Sequence, residues 1–284
     1  MTEGLHFLKG HGTENDFVLL PDADGAHGMP PVEVVRLLCD RRAGVGADGV
    51  IRVVRTHATE DPAAVDARGA ATWFMDYSNA DGSVSEMCGN GVRVLGLYLV
   101  DHEGVDPAHP FPVATRAGVK TLVFEDDGRI TVDMGTPTLL GDTEVTVTVD
   151  GKERSWKAQH VSLGNPHAVA FVDDLRDAGP LLDEPGFDPE VYPHGVNVEF
   201  AVRRGDRHVA MRVHERGSGE TRSCGTGACA AMVAAAAATG EGRGSTYEVE
   251  VPGGTLTVAW TEGDRVLLTG PAVLVAEGNW FAGR

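Results

Sequence analysis

Two of the four cysteines in this 284-residue chain stand where a thiol can do chemistry. The first lies in Glu86-Met87-Cys88-Gly89-Asn90-Gly91-Val92-Arg93, ahead of a run from Val92 to Val100 that is apolar except for Arg93 and stops at Gly104. The second lies in Ser223-Cys224-Gly225-Thr226-Gly227-Ala228-Cys229-Ala230, ahead of an alanine-rich run that reaches Ala238 and stops at Thr239-Gly240. Both runs read as helices entered through glycine, which lets the backbone turn tightly. The first turn of a helix carries N–H groups with no acceptor inside the helix, so it can hold a carboxylate. A cysteine placed there sits at the positive end of the helix dipole, where its pKa is expected to fall and a thiolate is favoured. Cys39 and Cys229 lie within apolar runs instead and read as small core hydrophobes.

Three chemistries use paired cysteines. Zinc sites generally need two tight Cys or His pairs; Cys224 and Cys229 have no second pair to match, although His167 and His214 could join them. A redox dithiol generally shows Cys-x-x-Cys, and the chain has none. Proton transfer fits better. One thiolate as base and one thiol as acid, on opposite sides of a carbon acid such as an amino-acid α-carbon, would invert the stereocentre without turning the substrate. Modest tuning brings a thiol near neutrality, so neither a Schiff-base lysine nor another cofactor or metal is required.

Positioning such a pair requires a particular set of elements. Leu5 to Lys9 and Phe17 to Leu20 read as strands joined through His11-Gly12-Thr13-Glu14-Asn15-Asp16, and Pro31 to Cys39 reads as a short helix. Arg41 to Gly49 is a glycine-rich turn without the spacing of a nucleotide-binding loop, Val50 to Val54 a strand, and Thr59 to Gly69 an exposed insertion. Trp73 to Tyr77 is a strand, followed by the turn Ser78-Asn79-Ala80-Asp81-Gly82-Ser83. Strands follow at Val113–Thr115, Lys120–Phe124 and Arg129–Asp133, then a break near Gly135 and a hairpin over Asp150-Gly151. Val161 to Phe171, through Gly164-Asn165-Pro166-His167, repeats the opening theme of strand, asparagine turn, strand. Val196 to Phe200 and His208 to His214 are strands, Glu215 to Thr221 is the loop into Cys224, and three more strands close the half. Cys88 and Cys224 are 136 residues apart, too far for a solenoid repeat, so two copies of one domain are expected, their cysteines opposed across a cleft.

Composition bounds the possibilities. A 42% hydrophobic fraction suffices for one large or two medium globular domains. With 42 acidic against 24 basic residues and a formal charge of -18, neither nucleic acid nor an anionic membrane is an expected partner. Met1 to His6 shows no basic and apolar leader pattern, and no apolar run approaches the roughly 20 residues that span a bilayer. Four cysteines in a chain of this length do not make a disulfide framework, which points to a reducing cytoplasm.

The motifs taken together resemble diaminopimelate epimerases along nearly the whole chain: His11-Gly12-Thr13-Glu14-Asn15-Asp16-Phe17, Ser78 to Ser83, Met87 to Arg93, Gly164-Asn165-Pro166-His167, Val196-Asn197-Val198, Glu215 to Thr221, and Ser223 to Gly227, with Pro252-Gly253-Gly254 and Leu268 to Ala272 also fitting. The resemblance implies cofactor-independent interconversion of LL- and meso-2,6-diaminopimelate, in lysine and peptidoglycan precursor synthesis, by a homodimer. Cys88 and Cys224 would be the acid/base pair, and His167 and Glu215 would orient the ammonium group and tune the thiols. Gly89, Asn90, Gly225 and Thr226 would bind the reacting carboxylate, while Asn15, Asn79, Asn165, Asn197 and Arg216 would hold the rest of the substrate. The implied fold is α/β (α+β) with two pseudo-symmetric domains, each a curved mixed sheet around a central helix: 1–133 with 272–284, and 134–271. Proline racemase-like and phenazine-biosynthesis-like enzymes are the nearest rivals, disfavoured by Asn90 with the Glu215-Arg216 loop and by the two retained cysteines respectively. A redox or zinc-binding module is the rival of a different class. Two departures stand out: Gly49 replaces a substrate-binding Gln of some family members, and Thr13-Glu14 replaces a small or apolar pair before Asn15.

Overall fold

The computed structural model describes residues 4–281, so the leader reading on Met1-Thr2-Glu3 and the two ends of the first expected domain lie partly outside the described residues. The chain divides into two compact units, one built from residues up to Val132 together with those from Pro271 onward, the other from Asp133–Gly270.

The first unit contains β1 (Leu5–Gly12), β2 (Asn15–Pro21), α1 (Val32–Cys39), β3 (Gly49–Arg55), α2 (Pro62–Asp66), β4 (Trp73–Asn79), α3 (Gly89–Glu103), β5 (Phe111–Thr115), β6 (Gly118–Phe124) and the start of β7 (Ile130–Gly135). The second contains β8 (Thr138–Val149), β9 (Lys152–Ser162), β10 (Pro166–Phe171), the short β11 (Gly186–Phe187), β12 (Asn197–Gly205), β13 (His208–Glu215), β14 (Gly219–Thr221), α4 (Gly225–Thr239), β15 (Ser245–Val251), β16 (Gly254–Trp260) and β17 (Val266–Gly270); β18 (Val273–Trp280) completes the first unit.

Strands of the first unit pair in the order β18-β1-β2-β3-β4-β5-β6-β7, with senses antiparallel, antiparallel, parallel, antiparallel, parallel, antiparallel, antiparallel. In the second unit the order β8-β9-β10-β12-β13-β15-β16-β17 runs through the same succession of senses. Each unit therefore has one long crossover helix between the fifth and sixth strands of that order: α3 links the parallel pair β4 and β5, and α4 links β13 and β15. Residues match position by position: Phe17 pairs with Gly49 as His167 pairs with Asn197, so Asn15 corresponds to Asn165, Ile51 to Glu199, and Asn79 to Glu215.

The crossover helices are buried nearly all round, as a helix at the centre of a sheet must be. In α3 every residue from Gly89 to Gly96 is buried, and it packs on β1, β2, β3 and β18; in α4 Gly225 to Ala236 are buried, against β9, β10, β12, β13, β15, β16 and β17. Both helices end at a left-handed glycine, Gly104 (φ 70°) and Gly240 (φ 75°), the conformation that lets the last turn close on itself. The hairpin between β8 and β9 turns on Asp150 (φ 51°) and Gly151 (φ 72°), as two positive φ values require of a two-residue turn matching strand twist.

Local differences from the sequence reading have simple causes. The stretch 59–69 is mostly exposed, as expected, but it is anchored to the core: Asp61 caps α2 by accepting from the Ala63 N–H, and Ala64 and Ala67 are buried with Val54, Phe74 and Ala114. Its small residues pack where larger ones would have signalled core. The loop after Glu215 includes β14, which pairs with β13. Both long helices begin at Gly89 and Gly225, so the glycines occupy the first turn rather than precede it.

Candidate active site

Cys88 is the N-cap of α3, held in extended backbone (φ -133°, ψ 123°) at the end of the turn that leaves β4. Its Sγ lies 3.5 Å from Asn15 Oδ1, and Asn90 Nδ2 donates to that same oxygen at 3.1 Å. Asn15, at the start of β2, donates through Nδ2 to Asp48 Oδ2 at 2.7 Å, which fixes the amide with its oxygen toward Cys88. Arg93, wholly buried, donates to Asn90 Oδ1 at 2.8 Å and to the Gly89 carbonyl at 3.2 Å. A Cβ on Gly12 would come within 2.9 Å of the Arg93 guanidinium, so a glycine is needed on β1 there.

Behind this cluster, Arg41 bridges Asp16 and Asp48, and Lys9 pairs with Asp16 at 2.6 Å. Burial opposes ionisation of Asp16, but hydrogen bonds from Arg41 and Lys9 outweigh it and hold its carboxyl at about 2. Burial, and then the Asp16 charge, push Asp48 upward. Asn79 ends β4, donates to Ser83 Oγ at 3.0 Å and is the register partner of Gly49. A Cβ on Gly49 would meet the Ser78 carbonyl and Tyr77 Cε2, each at 2.6 Å. The Tyr77 ring thus occupies the space a glutamine at that position would enter.

Cys224 is the matching N-cap of α4 (φ -125°, ψ 117°), and its sulfur accepts from the Gly227 N–H at 3.3 Å and lies 3.5 Å from Thr226 Oγ1. Asn165 Nδ2 donates to Thr226 Oγ1 at 3.2 Å, and His167 Nε2 meets Asn165 Oδ1 at 3.1 Å. His167 Nδ1 meets Glu199 Oε1 at 2.6 Å, both side chains being fully buried. Asn197 donates to the Pro166 carbonyl at 3.2 Å and accepts from the Arg216 N–H at 3.0 Å, tying the start of β12 to the loop after β13. The Arg216 side chain is exposed and reaches the His194 carbonyl at 3.3 Å, while Glu215 accepts from the Thr221 hydroxyl.

The thiol of Cys224 corrects one expectation. Burial pushes it well above its ordinary value, the nearby Glu215 and Glu199 carboxylates add to the rise, and the bonds from Thr226 and Gly227 only partly offset them. The helix N-terminus does not make Cys224 a resting thiolate. Cys39 and Cys229 are buried core residues, and burial drives Cys39 up to about 12.

Within the first unit the structure thus gathers Asn15, Cys88, Gly89 and Asn90; within the second it gathers Asn165, His167, Cys224, Gly225 and Thr226, with Asn197 and Arg216 joined through backbone bonds. Sequence reasoning missed Asp48, Arg93 and Glu199, which hold these groups from behind. In chemical terms, each cluster presents a sulfur next to first-turn backbone N–H groups able to bind a carboxylate. Among the described residues no group of three His, Cys, Asp or Glu is arranged to hold a metal ion, and no helix is long and apolar enough to cross a membrane.

Known proteins share this architecture. The structure resembles that of a hydroxyproline epimerase from Agrobacterium vitis with bound trans-4-hydroxy-L-proline (TM-score 0.70, 16% identity, 98% of this chain and 92% of that one). It is also similar to a phenazine biosynthesis protein from Bacillus anthracis (TM-score 0.69, 15% identity, 99% and 100%). In sequence, the chain is 55% identical to a diaminopimelate epimerase of Streptomyces coelicolor over 99% of this chain and 96% of the relative. It is 49% identical to one of Thermobifida fusca over 97% of each. The family model for diaminopimelate epimerase matches residues 7–140 and 159–275. The chain belongs to the diaminopimelate epimerase family.

Proposed function

We propose that Cys88 and Cys224 epimerise 2,6-diaminopimelate between its LL and meso forms by moving protons on and off one α-carbon, without a cofactor. Amino-acid epimerase activity, an isomerisation of a small molecule, follows from the family; the division of labour among residues is inferred from the two clusters. The observation that carries it is their equivalence: each unit, built on the same succession of strand pairings, sets a cysteine as the N-cap of its crossover helix.

The reacting carboxylate would lie against the first-turn N–H groups of Gly89 and Asn90 and of Gly225 and Thr226, where the helix dipoles favour negative charge. That placement also stabilises the charge that develops on the carboxylate as the α-proton leaves. Glu215 would orient the ammonium group, and His167, buried between Glu199 and Asn165, would tune the Cys224 thiol from behind. Asn15, Asn79, Asn165 and Asn197 would hold the remaining polar atoms, and the Arg216 guanidinium would grip the distal carboxylate in a bidentate fork. Cys224, kept protonated by burial and two carboxylates, enters as the acid, and Cys88 takes the role of base; the reverse reaction exchanges them. The two domains, 1–133 with 272–284 and 134–271, would each supply one thiol to a single substrate. A homodimer in the cytoplasm is the assembly and setting this reading carries.

The test is direct. Cys88→Ser and Cys224→Ser should each lower epimerisation about 10²–10⁴-fold, the range for removing one acid/base group, with circular dichroism unchanged. Wild-type turnover in either variant would refute the assignment.

A further inference from the structure

We infer that Glu199 is a positioning residue for the Cys224 thiol: it fixes the proton on His167 Nε2, and through His167 it orients Asn165 and Thr226 toward the sulfur. The inference rests on the reading of Cys224 as an acid/base group, and it extends that site to a carboxylate buried behind it.

Four contacts carry it. Glu199 Oε1 lies 2.6 Å from His167 Nδ1, and His167 Nε2 lies 3.1 Å from Asn165 Oδ1. Asn165 Nδ2 then donates to Thr226 Oγ1 at 3.2 Å, which is 3.5 Å from Cys224 Sγ. Because Asn165 uses its amide N–H on Thr226, its oxygen must accept, so His167 Nε2 must carry a proton. One further proton occupies the gap between Nδ1 and Oε1. Whether it sits on nitrogen or oxygen, Nε2–H is preserved and the pair stays neutral, which is how a buried carboxylate and imidazole are tolerated. At the far end Thr226 keeps its O–H to donate to a thiolate and a lone pair to accept from a thiol, so it serves Cys224 in both protonation states.

Two independent features show that this pair is built for one thiol. Residues Phe17 and Ile51 occupy the equivalent positions in the first unit, so the same arrangement of strands packs a fully buried apolar pair there. In that unit Asn15 is fixed by Asp48 directly. The carboxylate also comes close to the first turn of α4: a Cβ on Gly227 would meet Glu199 Oε1 at 2.7 Å, whereas a Cβ on the corresponding Gly91 would meet Met75, Ile51 and Phe17. The other carboxylate oxygen, Oε2, is buried with no hydrogen-bond partner, a cost that a purely structural residue would shed by mutation to an apolar one.

The experiment combines steady-state kinetics with 15N–1H NMR of histidine-labelled full-length enzyme, the His167 signals being assigned by their loss in His167→Asn. In the wild type, His167 should show a protonated Nε2 and a strongly deshielded proton between Nδ1 and Glu199. In Glu199→Gln those signals should shift, and kcat should fall roughly 10- to 100-fold, as when outer partners of metal-bound histidines are removed, with KM within about twofold because the Glu199 side chain is fully buried. Unchanged kcat in that variant, or lost kcat with an unaltered His167 ring, would overturn the proposal. Should the variant fail to fold, the wild-type spectrum decides: a bare Nε2 overturns it and a protonated one upholds it. An active Cys224→Ser enzyme with the wild-type His167 spectrum would instead refute the thiol reading, so the two failures are separable.

Discussion

At the scale of single residues, the two sulfurs occupy equivalent backbone positions in unlike surroundings. Cys88 meets an asparagine oxygen backed by Asp48, whereas Cys224 is more deeply buried and sees two carboxylates. The difference has a consequence for stability. The ordinary thiol value is 9.0 and the folded value of Cys224 lies well above it, so the folded state holds this proton more tightly than the unfolded chain does. That contribution is fully present below about pH 9 and is lost as pH rises toward the folded value. Urea midpoints measured at pH 8 and pH 10.5 should therefore converge in Cys224→Ala relative to the wild type. An identical alkaline loss in both proteins would mean that Cys224 does not resist ionisation.

At the scale of elements, the crossover helices place both cysteines, and glycines let them approach their partners. Gly227→Ala would set a methyl 2.7 Å from Glu199 Oε1 and 3.3 Å from Cys224 Sγ. It should cost about 1–3 kcal/mol of stability, the range for overpacking, and lower turnover as well. Gly205→Ala, whose Cβ would meet nothing within 4 Å, should leave both nearly unchanged. Thermal melts of the pair check this; equal behaviour would remove the close-approach argument. These helices, most strands and the hairpin over Asp150-Gly151 were legible because their signals are local: apolar runs, glycine stops, turn pairs. Glu199 was not. It alternates with Val198 and Phe200 in a strand, a pattern that ordinarily marks a solvent-facing side chain. It is buried because α4 covers that face, and only the parallel pairing of β12 with β10 brings it to His167. Asp48 hid in the same way, inside a glycine-rich turn whose carboxylate is aimed at Asn15 by the parallel pairing of β2 and β3.

At the scale of the whole molecule, the chain uses one plan twice and varies its chemistry. The duplication was visible in the twin Cys-Gly-x-Gly clusters and twin asparagine turns, and the two units carry one succession of strand senses. The differences between the halves could not be read from spacing, because Phe17 against His167 and Ile51 against Glu199 become equivalent only once register is known. Those differences suit a two-base reaction, in which one thiol must give a proton while the other takes one. Incubation of the enzyme with LL-diaminopimelate in heavy water, sampled early in the approach to equilibrium, tests this most directly. The account predicts meso product bearing one solvent deuterium at the inverted α-carbon while the recovered LL substrate remains unlabelled. Product that retains its original α-hydrogen, or substrate and product labelled at equal rates, would contradict it.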